Sequence, residues 1–292
     1  MFRLYINFDN DIKSILLSIN IINKYIDLFI LIIIYSFILK KKQTYEFICK
    51  RKQKLNSIDL KYIHNLRKVV YTINLGNYDI IRNVKKEIGY DYFLFVDDYD
   101  NEYNNSNWTI IFLPEKVNNL NVSLIKKQRF IKTHPHIFFP NYDISIYMDS
   151  TFKIKGNLDE FLLRILTPTH SIYILEHPER SKISSEFKLV KILKKDTLDN
   201  IERVKNRYKQ KKFPDKSGLI ESCLIVRKHN DKNCINIMEQ WFEEIKYYSH
   251  RDQLSFNYVL WKSGIKIKYL SKNFCFRYLG GDYIHRKRII FQ

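Results

Sequence analysis

Glycine and proline are scarce in this chain of 292 residues, 7 and 6 respectively, and no glycine-rich phosphate loop can be assembled from them. Neither the Gly-x-Gly-x-x-Gly dinucleotide fingerprint nor the P-loop pattern occurs, which excludes the two commonest sequence-encoded nucleotide cradles. The four cysteines, Cys49, Cys223, Cys234 and Cys275, form no Cys-x-x-Cys pair and have no zinc-like spacing to histidine. A disulfide framework and a structural zinc site are therefore excluded, and buried free thiols are expected. No internal repeat is present. The longest uncharged apolar run, Leu28–Leu39, is shorter than the roughly 20 residues that a membrane-spanning helix needs. Extending it backwards admits Asn20, Asn23, Lys24 and Asp27, so it reads either as a membrane anchor or as a buried or interfacial helix. It is a poor signal peptide, because Lys40–Lys42 follows with no small-residue cleavage site. Were it to span, the flanking lysines would keep the C-terminal part of the chain on the cytosolic side.

What the chain has in excess is basic charge. A formal net charge of +19 directs attention to anionic partners: nucleic acid, an acidic membrane face or a phosphorylated substrate. The basic residues are spread along the whole chain, and the Lys205–Lys212 run lacks the aromatic interleaving of a single-strand binding surface, so no specific nucleic-acid partner is expected. Residues 1–67 divide into the apolar segment and a basic, helix-prone linker. From Lys68 onwards strand-like and helix-like stretches alternate, which makes the fold class α/β. Strands are expected at Val69–Ile73, Tyr92–Val96, Ile144–Met148, Ser171–Leu175, Leu219–Val226 and Ile265–Leu270. Helices are expected at Ile80–Ile88, Ser123–Thr133, Asn157–Leu166, Asp196–Lys212 and Asp231–Tyr247, with a last one opening at His250 and closing at Gly264.

Polar groups collect where these strands end. Asn74 follows the strand Val69–Ile73, Asp97 the strand Tyr92–Val96 and Asp149 the strand Ile144–Met148, and in open α/β sheets ligands gather at the carboxyl ends of strands. Tyr71, Asn74 and Asp97 are placed for base and ribose recognition. Asp149 either caps a turn or meets a ribose, a phosphate or a metal.

Several landmarks recur in one order: Val69–Thr72 with Gly76–Asp79, Phe95–Asp97, Trp108, Arg129 and Lys132 with His134–Pro135–His136, Tyr142–Asp143, Tyr147–Asp149, His177–Arg180 and His250–Phe256. Together they resemble the glycosyltransferase-like family found beside bacterial polysaccharide genes and in plant mucilage synthesis, over nearly all of Lys68–Leu270. The resemblance implies a GT-A-like, Rossmann-like, mostly parallel sheet flanked by helices over residues 68–292. It also implies transfer of a sugar from a nucleotide-sugar donor to a hydroxyl of a glycan, polysaccharide or glycoconjugate. In that setting Asp149 holds the donor's ribose or a diphosphate-bound Mn²⁺ or Mg²⁺, with His285 as a second ligand. Tyr71, Thr72, Asn74, Asp97, Arg129, Lys132, His177 and Arg180 serve the donor. Glu221, Arg251 and Gln253 serve the acceptor, and Asp252 is either an N-terminal helix cap or the base that takes the acceptor's proton. One departure stands out: position 151 is Thr where the usual Asp-x-Asp has its second carboxylate, which leaves metal dependence open. A nucleic-acid-binding protein suggested by the charge, a metal-assisted hydrolase using Asp149, His177, Asp252 and His285, and an inactive transferase-like scaffold are the competing readings.

Overall fold

The computed structural model describes residues 59–281 apart from 101, 102, 104 and 105. The apolar segment Leu28–Leu39 and His285 lie outside the described residues. The strands are β1 (Lys68–Asn74), β2 (Tyr90–Val96), β3 (Thr109–Phe112), β4 (Ile144–Met148), β5 (Phe152–Ile154), β6 (Ile172–Glu176), β7 (Ile220–Arg227), β8 (Lys268–Leu270) and β9 (Leu279–Gly281). The helices are α1 (Leu60–Asn65), α2 (Glu115–Asn118), α3 (Leu124–Thr133), α4 (Pro135–Phe138), α5 (Leu158–Ile165), α6 (Ile183–Ile192), α7 (Leu198–Gln210), α8 (Lys232–Tyr247), α9 (Asp252–Ser263) and α10 (Lys272–Cys275).

Seven strands form one sheet in the order β3-β2-β1-β4-β7-β6-β8, and β5 pairs with β9 in a separate ribbon. β3, β2, β1 and β4 are mutually parallel, β7 runs against both β4 and β6, and β8 is parallel to β6. The mostly parallel, helix-flanked α/β architecture expected from the sequence is what the chain adopts. Central strands buried on both faces read as continuous apolar runs, and β1 and β4 are buried at every position.

Alternate residues feed two cores. Val70, Leu94, Ile146 and Leu224 face Leu158, Phe161, Leu162 and Ile165 of α5. Val69, Tyr71, Phe95, Tyr147 and Ile225 face Phe130 and Ile131 of α3 and Ile237, Met238 and Trp241 of α8. A third cluster joins α6 and α7 to Leu254 and Tyr258 of α9. Because α9 also sends Phe256 and Val259 into the second core, it is apolar on several sides and almost wholly buried. Its N-terminus, which begins with Asp252, is thereby fixed. Gly264 closes it at φ +69, in the left-handed region where glycine carries no Cβ penalty.

The helix expected at Ile80–Ile88 does not form. That segment is irregular, and its backbone is served by side chains instead: Trp108 Nε1 donates to the Arg82 carbonyl at 3.0 Å, and the Glu87 N–H donates to the Tyr92 hydroxyl at 2.8 Å. Val84 is buried and Ile81 packs on the same core, but Ile80 and Ile88 are exposed, so the apolar residues do not share one helical face. Among the described residues no helix is long and apolar enough to cross a membrane.

Candidate functional site

The parallel register sets Tyr71 beside Tyr147 and Asn74 beside Val96, so β1, β2 and β4 release their chains on one edge of the sheet. A cleft of about 1060 Å³ opens there. Asn74, Gly76, Asp79, Asp149 and Ser150 line it from the strand ends, Arg129 from α3, and Lys194, Lys195, His250 and Arg251 from the segments preceding α7 and α9.

The Asp149 carboxylate is held by its own strand. Tyr147, two residues earlier and on the same face, donates its hydroxyl to Asp149 Oδ1 at 2.6 Å, while the Asp149 N–H donates to the Cys223 carbonyl at 2.9 Å. Burial, reinforced by the neighbouring carboxylate, pushes the Tyr147 phenol well above its ordinary value, so it stays a neutral donor. Next to it the Ser150 hydroxyl donates to Asp79. Asp79 is fixed in turn by a reciprocal pair: the Asn74 side-chain amide donates to its carbonyl at 3.0 Å, and its N–H donates to Asn74 Oδ1 at 2.9 Å. Gly76 takes φ +68, and its N–H reaches both Asp97 oxygens at 2.8 and 3.0 Å. A Cβ there would meet the Leu124 side chain at 3.1 Å. Asp97 thus ties down the loop after β1, and it borders a separate hollow of about 370 Å³ with Asp98 and Asp100.

Beneath Arg129 and Arg251 lies a buried ionic cluster. Asp252, 3 % exposed, accepts from Lys132 Nζ at 2.7 Å and from the Ser222 hydroxyl at 2.7 Å, and Arg129 Nε stands 3.4 Å away. Burial works to raise the Asp252 carboxyl, but Arg129, Lys132 and Arg251 outweigh it and hold the group far below the usual carboxylate range. Burial also lowers the Lys132 ammonium, opposed chiefly by Asp252. Around Arg129 burial is again the opposing influence, and Asp252 overcomes it to strengthen the positive charge. Arg129, Lys132 and Arg251 all act on the one Asp252 carboxylate, Asp149 also acts on Arg129 and Lys132, and both guanidinium-bearing residues line the cleft.

The frame behind this cluster is also polar. The Lys132 carbonyl at the end of α3 accepts from Arg227 at 2.8 Å and from the Tyr71 hydroxyl at 2.9 Å. Tyr71 and Thr72 are therefore buried within β1, behind the site and not on its surface. Lys126, Lys127, Arg129 and Lys132 do not form one solvated helix face as their spacing suggests, since Lys132 is 2 % exposed.

Other residues singled out from the sequence lie elsewhere. His177 and Arg180 contact each other at 2.7 Å, and Arg180 pairs with the buried Glu186 at 3.0 Å. Glu221 is paired with Lys272 at 2.9 Å. Gln253 accepts from Arg251 at 2.7 Å and donates to the Ile220 carbonyl at 3.1 Å, so it braces Arg251. None of these four lines the main cleft. Asp79, Ser150, Lys194, Lys195 and His250 do line it. A strand-end position was a signal only for Ser150, while Asp79 sits five residues beyond β1 and is brought back by the Asn74 pair. Among the described residues no group of three or more His, Cys, Asp or Glu is gathered to hold a metal.

No curated protein matches the sequence. Among solved structures, the bifunctional glycosyltransferase WbbM aligns at 17% identity and a TM-score of 0.45, over 70% of this chain and 39% of that one. Mouse xyloside xylosyltransferase 1 aligns at 13% identity and 0.42, over 70% and 85%. GlyE, a glycosyltransferase of Streptococcus pneumoniae, aligns at 11% identity and 0.38, over 71% and 45%. The chain thus spans less than half the length of the first and third of these. The family model described as TOD1/MUCI70, glycosyltransferase-like domain matches residues 40–277, most of the chain, and the protein belongs to that glycosyltransferase-like family.

Proposed function

We propose that this protein transfers a sugar from a nucleoside-diphosphate sugar to a hydroxyl acceptor, a glycan or glycoconjugate, and that the Asp252 cluster receives the diphosphate. The observation that carries this reading is the gathering of Arg129, Lys132 and Arg251 around the single buried Asp252 carboxylate, with both arginines on the wall of the cleft that also holds Asp149. As the glycosidic bond breaks, negative charge grows on the departing diphosphate, about two charges at neutral pH, and fixed cations in a water-poor site stabilise it without reorganising. The volume of about 1060 Å³ suits a ligand of nucleotide-sugar size.

In this reading Asp252 is the counter-ion that assembles the cations. Its Oδ2 accepts from Lys132 and Ser222, its Oδ1 from the Gln253 N–H, and its proton affinity is strongly depressed, which suits a structural anion better than a base. Asp149, with Oδ1 taken by Tyr147, offers its other oxygen to a ribose hydroxyl or to an ion. A Mg²⁺ site of one or two carboxylates completed by substrate phosphates is compatible with Asp149 as the described ligand, and such an ion would add charge neutralisation on the diphosphate. His285 remains the proposed second ligand.

The test is release of nucleoside diphosphate from a panel of nucleotide sugars, with Mg²⁺ or Mn²⁺ and with EDTA. We expect turnover with at least one donor and a loss of about 10²-fold in Arg129→Gln. Folded protein that releases nucleoside diphosphate from no donor, or Arg129→Gln at the wild-type rate, contradicts the reading. EDTA resistance would assign the charge to the side chains alone, and full EDTA sensitivity would assign part of it to an ion.

A further inference from the structure

Helix α6 ends in Ile192, and the chain then turns through Leu193, Lys194 and Lys195 before α7. Lys194 adopts φ +47 and closes the helix, with its N–H on the Lys191 carbonyl at 3.2 Å and the Lys195 N–H on the Val190 carbonyl at 2.9 Å. This is the closing position where glycine is the default, because a Cβ is penalised in the left-handed region. A lysine here keeps its side chain at the cost of local strain, as Lys212 does at the close of α7, but only the α6 turn borders the cleft. Both Lys194 and Lys195 line the cleft, and among the described residues neither makes a salt bridge. Desolvation, and then Arg251, lowers the Lys195 ammonium, so the cations crowd one another across this wall. Ile192 and Leu193, 74% and 50% exposed, line the same cleft. Two unpaired ammonium groups beside exposed aliphatic side chains match a sugar that offers C–H faces and an anionic group together.

We infer that the turn from Ile192 to Lys195 is an acceptor subsite for a saccharide bearing a carboxylate. This rests on the transferase reading, in which the Asp252 cluster already serves the donor's diphosphate and leaves the turn lysines for another anion. The subsite takes part in recognition and does no covalent chemistry.

The test is a binding titration by NMR on the whole protein, with cellobiouronic acid against cellobiose, glucose 6-phosphate against glucose, and UDP, GDP and CDP as nucleotide probes. Wild-type protein should bind cellobiouronic acid roughly fivefold more tightly than cellobiose, within the range of exposed ion pairs. That preference should vanish in Lys194→Ala/Lys195→Ala while nucleotide affinity is unchanged. Lys194→Gly serves as the folding control: it relieves the left-handed strain, so it should melt at or above wild type and still lose part of the preference.

No acid preference in wild-type protein, or an acid preference that survives in the double variant, overturns the subsite. An equal loss of nucleotide affinity in the double variant also overturns it and gives the lysines to the donor. A larger gain for glucose 6-phosphate over glucose than for the uronate pair replaces carboxylate with phosphate and overturns the stated class. If no nucleotide binds wild type but the lysine-dependent acid preference is present, the transferase reading fails and the anion subsite stands.

Discussion

At the residue scale the central contact is the Asp252 carboxylate, shared by Lys132, Ser222 and the nearby Arg129. Removing one partner of a buried pair leaves the other charge uncompensated, so Asp252→Asn should cost about 3 kcal/mol or more in urea unfolding. The pH dependence has a defined sign. The folded-state pKa of Asp252 is depressed, so its stabilisation is complete above the unfolded value of about 4 and is lost as pH falls from there towards the folded one. Wild-type stability should therefore drop more steeply below about pH 4 than that of Asp252→Asn. Parallel curves for the two proteins over that range would show that Asp252 is not ionised against its neighbours.

Asp149 was legible at this scale because a carboxylate directly after a buried strand is a local pattern. The cluster was only half legible. Arg129 and Lys132 are three residues apart on one helix face, which suggests a pair, but the carboxylate they share comes from the start of α9, 120 residues beyond Lys132. Burial of Lys132 was hidden, since the sequence of α3 alone cannot show that β7 and α9 cover it.

At the scale of elements, α9 positions the site because it has almost no solvent face. Trp241 on α8, fully buried, donates its indole N–H to the Asp252 carbonyl at 3.0 Å and so ties α8 to the first residue of α9. Trp241→Phe keeps most of the apolar surface and deletes that bond, and we expect a stability loss of about 1 to 3 kcal/mol. Nucleoside diphosphate binding should weaken with it. Unchanged nucleotide affinity in a measurably destabilised Trp241→Phe protein would separate the indole bond from the site.

Most of the expected strands and helices follow from their periodicity to within a residue or two, as in α5 and α8, whereas the last strand begins three residues late, at Lys268, and α6 is not among those expected. The failure at Ile80–Ile88 has the opposite cause: isolated apolar spacing predicts a helix, whereas the segment accepts a hydrogen bond from Trp108 and donates one to Tyr92, residues whose position depends on the finished sheet. His177 and Arg180 illustrate the same limit. Their strand-end position resembles that of Asp149, but β6 lies two strands from β4 in the sheet, and their side chains serve Glu186 and each other.

At the scale of the molecule, the sheet order places the ends of β1, β2 and β4 side by side, and the basic excess of the chain has a local expression in the cleft. The formal charge of +19 by itself selects no partner. In the proposed reading it is the cations gathered at Asp252, in the cleft that Asp149 also lines, that favour one: a ligand with adjacent phosphates. The most direct measurement is calorimetric titration of the protein with UDP, GDP and CDP and with the matching monophosphates, in wild type and Arg251→Gln. At least one diphosphate should bind about tenfold or more tightly than its monophosphate, and Arg251→Gln should remove most of that difference while monophosphate affinity changes little. Equal affinity for diphosphate and monophosphate, or a diphosphate preference that Arg251→Gln leaves intact, would contradict the assignment of the cluster to the donor's diphosphate.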